Sequence, residues 1–242
     1  MSQYLILPIN RAILTATYRS AAYRARFGAC HYGTDLYSTA SSTVFACGKG
    51  QVVCAGKDSV VGNTVTVIYE DVWAGDRSRT VAVRCFHLRD IRVKTGQKVN
   101  KDTVLGHFGS TGLFVCGAHL HIEIDADFTH WQGVPGMGRA RSTFYYRGGD
   151  TMLNPADLLH PYRGDRQTVS YTDSKYNGRF FAERGGYTPV DTLTREPDSE
   201  AVRKYEREAA ARKKAEQALA AAEKENREAR EKIRAALKIL EG

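Results

Sequence analysis

Short apolar runs separated by turn-forming residues dominate the first part of the chain. Five runs rich in β-branched residues lie at 5–7, 43–46, 51–54, 64–69 and 80–85. β-Branched side chains favour strands, and the glycine, asparagine, aspartate and lysine residues between the runs favour tight turns. One short helix is indicated around residues 154–159. The pattern predicts a mainly β fold, a compact antiparallel sheet or sandwich.

The pattern changes near residue 198, after which proline is absent and alanine, glutamate, lysine and arginine dominate. This composition favours a helix over 198–242. From Leu219 onward the residues follow an a/d heptad with Asn226 at one a position, so a coiled coil with a second copy or a partner protein is one interpretation. A solvated single helix is the other. Residues 163–197 are interpreted as a linker or extension, and residues 1–162 as the main domain.

The charge of the chain is moderately basic. Its 242 residues carry a net charge of +8, of which the segment from Asp198 contributes +2, with 12 basic and 10 acidic residues, and the rest +6. Such a surface suits any anionic polymer, but no basic block is long enough to predict a nucleic-acid partner. No run of about 18 apolar residues occurs, so no membrane span is predicted. The N-terminus lacks the features of a signal peptide.

The segment His-Leu-His-Ile-Glu-Ile at 119–124 alternates polar and apolar residues. In a strand, His119, His121 and Glu123 would share one face while the apolar residues enter the core. Two imidazoles about 7 Å apart on one strand face can approach one reaction centre. Taken alone, the motif is a weak signal and is more typical of the exposed face of an amphipathic strand than of a ligand pair.

Two further motifs contribute candidate ligands. His31 and Asp35 flank a glycine, where both side chains can turn toward one cation, and His87 lies in the sequence Phe-His-Leu at the end of an apolar run. Together the three motifs offer two histidines and one aspartate as ligands plus two spare imidazoles, which suits a catalytic zinc ion with an open position. The glycine-rich segment 109–118 would let the backbone approach a metal and a peptide closely.

These motifs follow one another in a fixed order over residues 28–160. After His-x-x-x-Asp come Gly-Asn-Thr-Val, Phe-His-Leu, Val-Lys-Thr-Gly-Gln-Lys-Val, Leu-Gly-His-Phe-Gly-Ser-Thr-Gly and Gly-Ala-His-Leu-His-Ile-Glu. The set resembles the lysostaphin/LytM-type zinc metallopeptidases, which have the duplicated hybrid motif fold. The resemblance implies a compact antiparallel β fold with an open groove, one zinc ion, and hydrolysis of peptide bonds in the stem or cross-bridge of peptidoglycan.

Carried over position by position, the resemblance implies that His31, Asp35 and His121 are the zinc ligands. His87 and His119 become the unligated pair that contacts the attacking water and stabilises the transition state, with the two roles open between them. Three further assignments are weaker. Tyr23 would be an aromatic residue near the metal, Asn63 matches a position of the second motif, and Glu123 would be a carboxylate that orients a histidine. The bond cleaved would depend on groove loops such as 125–150.

Two alternatives come from other functional classes. A non-catalytic module of the same fold would bind cell-wall peptide or a partner protein and act through its helical tail. A thiol peptidase would use Cys30 or Cys116, but no local pattern implies the required cysteine–histidine geometry. The five cysteines, an odd number without a Cys-x-x-Cys motif, are instead expected to be free and largely buried, Cys30 and Cys116 included.

The predicted substrate raises the question of location, because peptidoglycan lies outside the cell membrane. Without a visible signal peptide, the protein is expected to reach the bacterial cell wall by host lysis or on a virion, or through a segment upstream of this sequence.

Overall fold

The structure, a computed structural model, describes residues 2–28, 30–74, 77–113, 115–126, 151–171 and 193–195. Its helices are short: α1 (Ala21–Phe27) and α2 (Pro155–Leu158). Its strands are β1 (Ser2–Gln3), β2 (Leu5–Ile6), β3 (Ala12–Ala16), β4 (Thr34–Tyr37), β5 (Thr43–Phe45), β6 (Gly50–Asp58), β7 (Gly62–Trp73), β8 (Ser78–Ile91), β9 (Lys98–Val99), β10 (Val104–Phe108), β11 (Leu120–Asp125), β12 (Met152–Leu153), β13 (Leu159–His160), β14 (Val169–Tyr171) and β15 (Thr194–Arg195). The predicted mainly β fold is confirmed.

Most strands belong to one sheet, whose main path runs β14-β3-β4-β11-β8-β7-β1-β15. The remaining members attach beside this path: β10 pairs with β5 and β8, β6 with β7 and β9, and β12 with β11. Most pairings are antiparallel, as predicted. Three short pairings, β1 with β7, β2 with β13 and β3 with β14, are parallel. They join segments far apart in the chain, which local alternation cannot reveal.

The centre of the sheet is the long antiparallel pair β7 and β8, of 12 and 14 residues. On the other side of β7 lies β6, and Asp58 holds the turn between these two strands. Asp58 Oδ1 accepts hydrogen bonds from the N–H groups of Val60, at 2.6 Å, and Val61, at 3.0 Å. An aspartate that caps its own turn in this way favours one hairpin geometry. The predicted runs 51–54, 64–69 and 80–85 lie inside these three strands.

One continuous apolar core lies against the sheet. Leu14 and Leu36 contribute to it from β3 and β4, and both are 0% exposed. From β11, Leu120, Ile122 and Ile124 also enter it, each 0% exposed. The prediction that the apolar residues of 119–124 enter the core is therefore confirmed. Strand geometry sends every second side chain to the same face.

The cysteines are all free. Cys47, Cys54 and Cys85 are buried, as expected, but Cys30 is only partly buried and Cys116 is exposed. The expectation of a buried Cys116 is wrong because this residue lies in the exposed bend before β11, beside the equally exposed Gly117.

Several predictions fall on segments that the structure describes only in part. Within the predicted linker 163–197, β14 pairs with β3 and β15 with β1, so this segment contributes two short strands to the sheet. The predicted helical tail 198–242, with its coiled-coil contact, lies outside the described residues, as does 127–150 of the predicted groove loop. Among the residues that are described, no helix has the length and apolar character needed to cross a membrane.

Replacement of Leu14 by alanine should reduce the free energy of unfolding by about 2–5 kcal/mol, because it leaves a cavity in the core. The matched control is the same change at Leu113, which is 68% exposed. That variant should stay within about 0.5 kcal/mol of the parent protein. Urea denaturation of the three proteins measures the difference, and equal losses from the two leucines would contradict this account of the core.

Candidate metal centre

The position of β11 between β4 and β8 brings the predicted motifs together. In the antiparallel register His121 lies opposite Asp35 on β4 and opposite Phe86 on β8. Gly33, just before β4, allows this close approach: a Cβ atom there would lie 2.6 Å from His121 Nε2 and would also meet the backbone oxygen of Ile122. The glycine between His31 and Asp35 therefore provides room for a neighbouring strand.

His31, Asp35 and His121 form a compact cluster. His31 Nε2 lies 3.1 Å from Asp35 Oδ1 and 3.2 Å from His121 Nδ1, and His121 Nδ1 lies 2.8 Å from Asp35 Oδ1. One ligand atom from each residue lies within 4.8 Å of the others, so the three can hold one metal ion. These are the residues that the resemblance implies as ligands.

The hydrogen bonds of the two histidines fix which nitrogen faces the cluster. His31 Nδ1 lies 2.7 Å from the carbonyl oxygen of Thr17, which can only accept, so this nitrogen carries a proton and Nε2 is the nitrogen that faces Asp35 and His121. His121 Nε2 lies 3.3 Å from Glu123 Oε1 and donates to it. His121 therefore presents Nδ1 to the cluster.

His87 and His119 lie beside this cluster, with their rings 5.0 Å apart. The Nδ1 atom of each donates to a backbone carbonyl at 3.0 Å, that of Thr111 for His87 and that of Gly117 for His119. Nε2 is consequently the ring nitrogen that each histidine has left for other partners. His119 Nε2 lies 3.6 Å from Asp35 Oδ1, and the rings of His87 and His121 are 6.0 Å apart.

A β-bulge turns His87 toward the cluster. The register between β7 and β8 shifts between Asn63 and Val65, and His87 adopts a left-handed backbone conformation with φ of 62°. Cys85 and Leu88 both point into the core, at 1% and 0% exposure, so the simple alternation is interrupted between them. The extra residue lets Phe86 and His87 both contact the histidine cluster. His87 therefore faces the histidine cluster and not the apolar core.

The glycine-rich segment packs against the turn that precedes β7. Thr111 Oγ1 donates to the carbonyl of Leu88 at 2.8 Å and accepts from the N–H of Asn63 at 2.9 Å. Gly62 meets Thr111 so closely that a Cβ atom would collide with its backbone. The segment therefore holds the carbonyl that orients His87. Its predicted approach to a metal and a peptide stays a prediction.

The electrostatics of the cluster favour a bound cation. Burial raises the pKa of Asp35, but His31 and His121 outweigh it and hold that pKa well below its usual range. Burial lowers the pKa of His121, yet the carboxylates of Asp35 and Glu123 outweigh it and raise that pKa to about 10. A cation bound at the cluster would take the place of the His121 Nδ1 proton. Burial and the neighbouring His121 and His119 lower the pKa of His87 to about 4, so His87 is neutral at pH 7.

The weaker sequence assignments have different outcomes. The Tyr23 ring, carried by α1, stacks on His31 with ring centroids 4.4 Å apart. Asn63 holds β8 through a hydrogen bond from Nδ2 to the carbonyl of Arg89 at 3.1 Å. Glu123 is 4% exposed, although the strand pattern alone allowed it an open face. Of the remaining histidines, His107 pairs with Asp90 outside the cluster, His160 packs on Tyr4, and His130 lies outside the described residues.

Sequence reasoning missed Arg84, which is 0% exposed and bonded to both Glu123 and Asp125. A signal was available, because Arg84 interrupts the apolar run 80–85, which is predicted to form a strand. Buried arginines are rare unless they are paired, so such a residue points to buried carboxylates elsewhere in the chain.

Comparison with known proteins identifies a family that the sequence of this chain matches. Residues 29–133 match the model of Peptidase family M23, a family of metallopeptidases. The chain is 35% identical over 94 residues to peptidoglycan DD-endopeptidase ShyA of Vibrio cholerae. The aligned region covers 39% of this chain and 20% of that protein. It is also 26% identical over 171 residues to lysostaphin of Staphylococcus simulans. This aligned region covers 69% of this chain and 31% of that protein.

The chain thus spans about a fifth to a third of the length of these relatives. Among solved structures, the catalytic domain of lysostaphin from Staphylococcus simulans overlaps 64% of this chain and 86% of its own, with 22% identity and a TM-score of 0.38. Because this TM-score is below 0.5, the family assignment rests on the sequence matches.

Replacement of Gly33 by alanine should weaken metal binding, because the new Cβ atom displaces His121 and β11 from β4. We expect a loss of zinc affinity of at least about tenfold, comparable to the loss of a residue that supports a metal ligand. Competition with a chromogenic chelator measures this affinity. Gly96→Ala is the control, since a Cβ atom at Gly96, whose φ is 87°, meets nothing within 4 Å. Equal affinities in the two variants would contradict the proposed close approach.

Proposed function

We propose that this protein is a zinc-dependent endopeptidase that hydrolyses peptide bonds in peptidoglycan, in the stem peptide or the cross-bridge. The observation that carries the proposal is the convergence of His31, Asp35 and His121 on one point, with His87 and His119 beside them. The match to Peptidase family M23 and the peptidoglycan endopeptidases among the relatives support the same substrate class.

The chemistry of the donor atoms fits zinc. Two imidazole nitrogens and one carboxylate oxygen are a ligand set that zinc accepts, and three protein ligands leave a position for water or substrate. His31 would bind through Nε2 and His121 through Nδ1, because their other nitrogens are engaged by Thr17 and Glu123. A zinc ion held there would supply a Lewis acid that polarises the scissile carbonyl and lowers the pKa of water.

The two unligated histidines would handle protons and charge. In the neutral form of each ring, the hydrogen bond at Nδ1 leaves the Nε2 lone pair open, so Nε2 can accept a proton from an attacking water molecule. Once protonated, the same Nε2–H can donate to the developing oxyanion or to the leaving amine. His87 and His119 share these roles, and their fixed Nδ1 hydrogen bonds keep both rings oriented.

The proposed substrate places the site of action at the bacterial cell wall. The net charge of +8 is consistent with attraction to an anionic wall polymer. The expected route to the wall, by host lysis or on a virion, stays a prediction from the sequence.

Substitutions in the two histidine groups should have distinguishable effects. His121→Ala and Asp35→Ala should lose both bound zinc and the release of peptide fragments from purified cell walls. His87→Ala and His119→Ala should retain zinc and lose activity by about 10²–10⁴-fold, the usual contribution of a positioned acid or base. Metal analysis and mass spectrometry of the digested walls measure the two properties.

The matched control for these substitutions is His107→Ala, which removes a histidine that contacts Asp90 outside the cluster. It should retain zinc and activity. Intact activity in His121→Ala would exclude the proposed zinc site. The absence of turnover by the zinc-loaded parent protein, on walls of varied cross-link chemistry, would favour the non-catalytic binding module.

Removal of the metal provides a further test. A chelator should abolish wall digestion, and added zinc should restore it, because zinc is the proposed Lewis acid. Cys116→Ser and Cys30→Ser should remain active and chelator-sensitive. Loss of activity in either serine variant, together with resistance to the chelator, would favour the thiol peptidase instead.

A further inference from the structure

A row of buried charged residues lies next to His121, on the same two strands that build the cluster. Arg84 on β8 is 0% exposed, and Glu123 and Asp125 on β11 are 4% and 2% exposed. Residues two apart in a strand share a face, so His121, Glu123 and Asp125 point to the same side of the sheet. In the register of the two strands Glu123 lies directly opposite Arg84.

The hydrogen bonds along this row connect its far end to the candidate ligand. Arg84 Nη1 donates to Glu123 Oε2 at 2.9 Å, and Arg84 Nη2 donates to Asp125 Oδ2. The other oxygen of Glu123, Oε1, accepts from His121 Nε2 at 3.3 Å. Glu123 therefore uses one oxygen for the arginine and the other for the histidine.

The far end of the row is itself anchored. Asp125 Oδ1 accepts a hydrogen bond from Thr151 Oγ1 at 2.6 Å, next to β12. The planar guanidinium of Arg84 is thus held between two carboxylates on β11, of which one is tied to another segment. Rotation of Glu123 away from His121 would also break its bond to Arg84 and leave buried charge uncompensated.

Phe86 restrains the same imidazole from another direction. Its ring is nearly parallel to that of His121, with an interplanar angle of 2° and centroids 5.5 Å apart. The stacking defines the plane of the His121 ring, but it does not select which nitrogen faces Asp35. That selection falls to the hydrogen bond between Nε2 and Glu123.

We propose that Arg84, together with Asp125, is a positioning residue that holds Glu123 in place so that His121 presents Nδ1 to the metal ion. This inference rests on the proposed zinc site. It assigns a functional role to an ion pair that would otherwise be only a structural element of the core. The two roles differ in what they predict for metal affinity, since a purely structural pair affects stability and leaves the geometry of the ligand unchanged.

The test compares zinc affinity, by competition with a chromogenic chelator, in Arg84→Met, Glu123→Gln and the double variant, at a temperature where all are folded. Arg84→Met keeps an unbranched apolar side chain and removes the guanidinium group that donates to Glu123 and Asp125. We expect each single variant to bind zinc about 10–100-fold more weakly, the usual effect of losing a group that orients a metal ligand. The double variant should show little further loss, because both changes interrupt the same row.

Two controls separate positioning from stability. Leu14→Ala destabilises the core through β3 without a change in this row, and its zinc affinity should stay within about twofold of the parent protein. Arg84→Lys keeps the charge and should recover part of the affinity lost in Arg84→Met. The absorption spectrum of bound cobalt should change in Arg84→Met and not in Leu14→Ala, because only the former disturbs the ligand geometry.

Unchanged zinc affinity and cobalt spectrum in Arg84→Met would overturn the inference. If Arg84→Met does not fold, Asp125→Asn provides the same test, with an expected smaller loss of affinity, and an unchanged affinity in that variant would likewise overturn the inference. Neither measurement uses cell walls. A protein that binds zinc through this row but cleaves no peptidoglycan would therefore refute the proposed function and leave the positioning role intact.

Discussion

The hydrogen-bonded register of β11 against β4 and β8 is the constraint on which the rest of the site depends. It places Asp35, His121 and Phe86 side by side on three adjacent strands. Because side chains alternate along a strand, a slip of one residue would send His121 into the core and Ile122 toward the ligands. The full burial of Leu120, Ile122 and Ile124 opposes such a slip. The apolar face of β11 thus fixes the position of its polar face.

The polar face of β11 concentrates carboxylates that need positively charged partners. Asp35, Glu123 and Asp125 lie along it, and Arg84 is shared between the last two. The carboxylates on either side of His121 raise its pKa to about 10, which shows how strongly this location favours positive charge. Burial of carboxylates is unfavourable unless a counter-charge accompanies them. A divalent cation bound by His31, Asp35 and His121 is a natural counter-charge.

The irregular backbone near this face has a clear structural consequence. The bulge in β8 and the left-handed conformation of His87 direct this side chain toward His119 and His121. Non-glycine residues with positive φ are uncommon, and bulges of this kind concentrate near functional sites. The carbonyl of Thr111 then selects the tautomer of His87. In a regular β8, where side chains alternate between the two faces, His87 would have pointed into the core like Cys85.

The sequence by itself determined the fold class, the strands of the central hairpins and the polar–apolar alternation of 119–124, since these depend on local propensity and spacing. Through resemblance, it also identified His31, Asp35 and His121 as a candidate ligand set, which the structure places within 4.8 Å. Only the tertiary structure decided the bulge at His87, the pairing of Arg84 with Glu123 and Asp125, and the stacking of Tyr23 on His31. The physical reason is that these features depend on strand register and on contacts between segments distant in the chain. Local periodicity defines which face a residue occupies within its own strand, but not which side chain lies opposite.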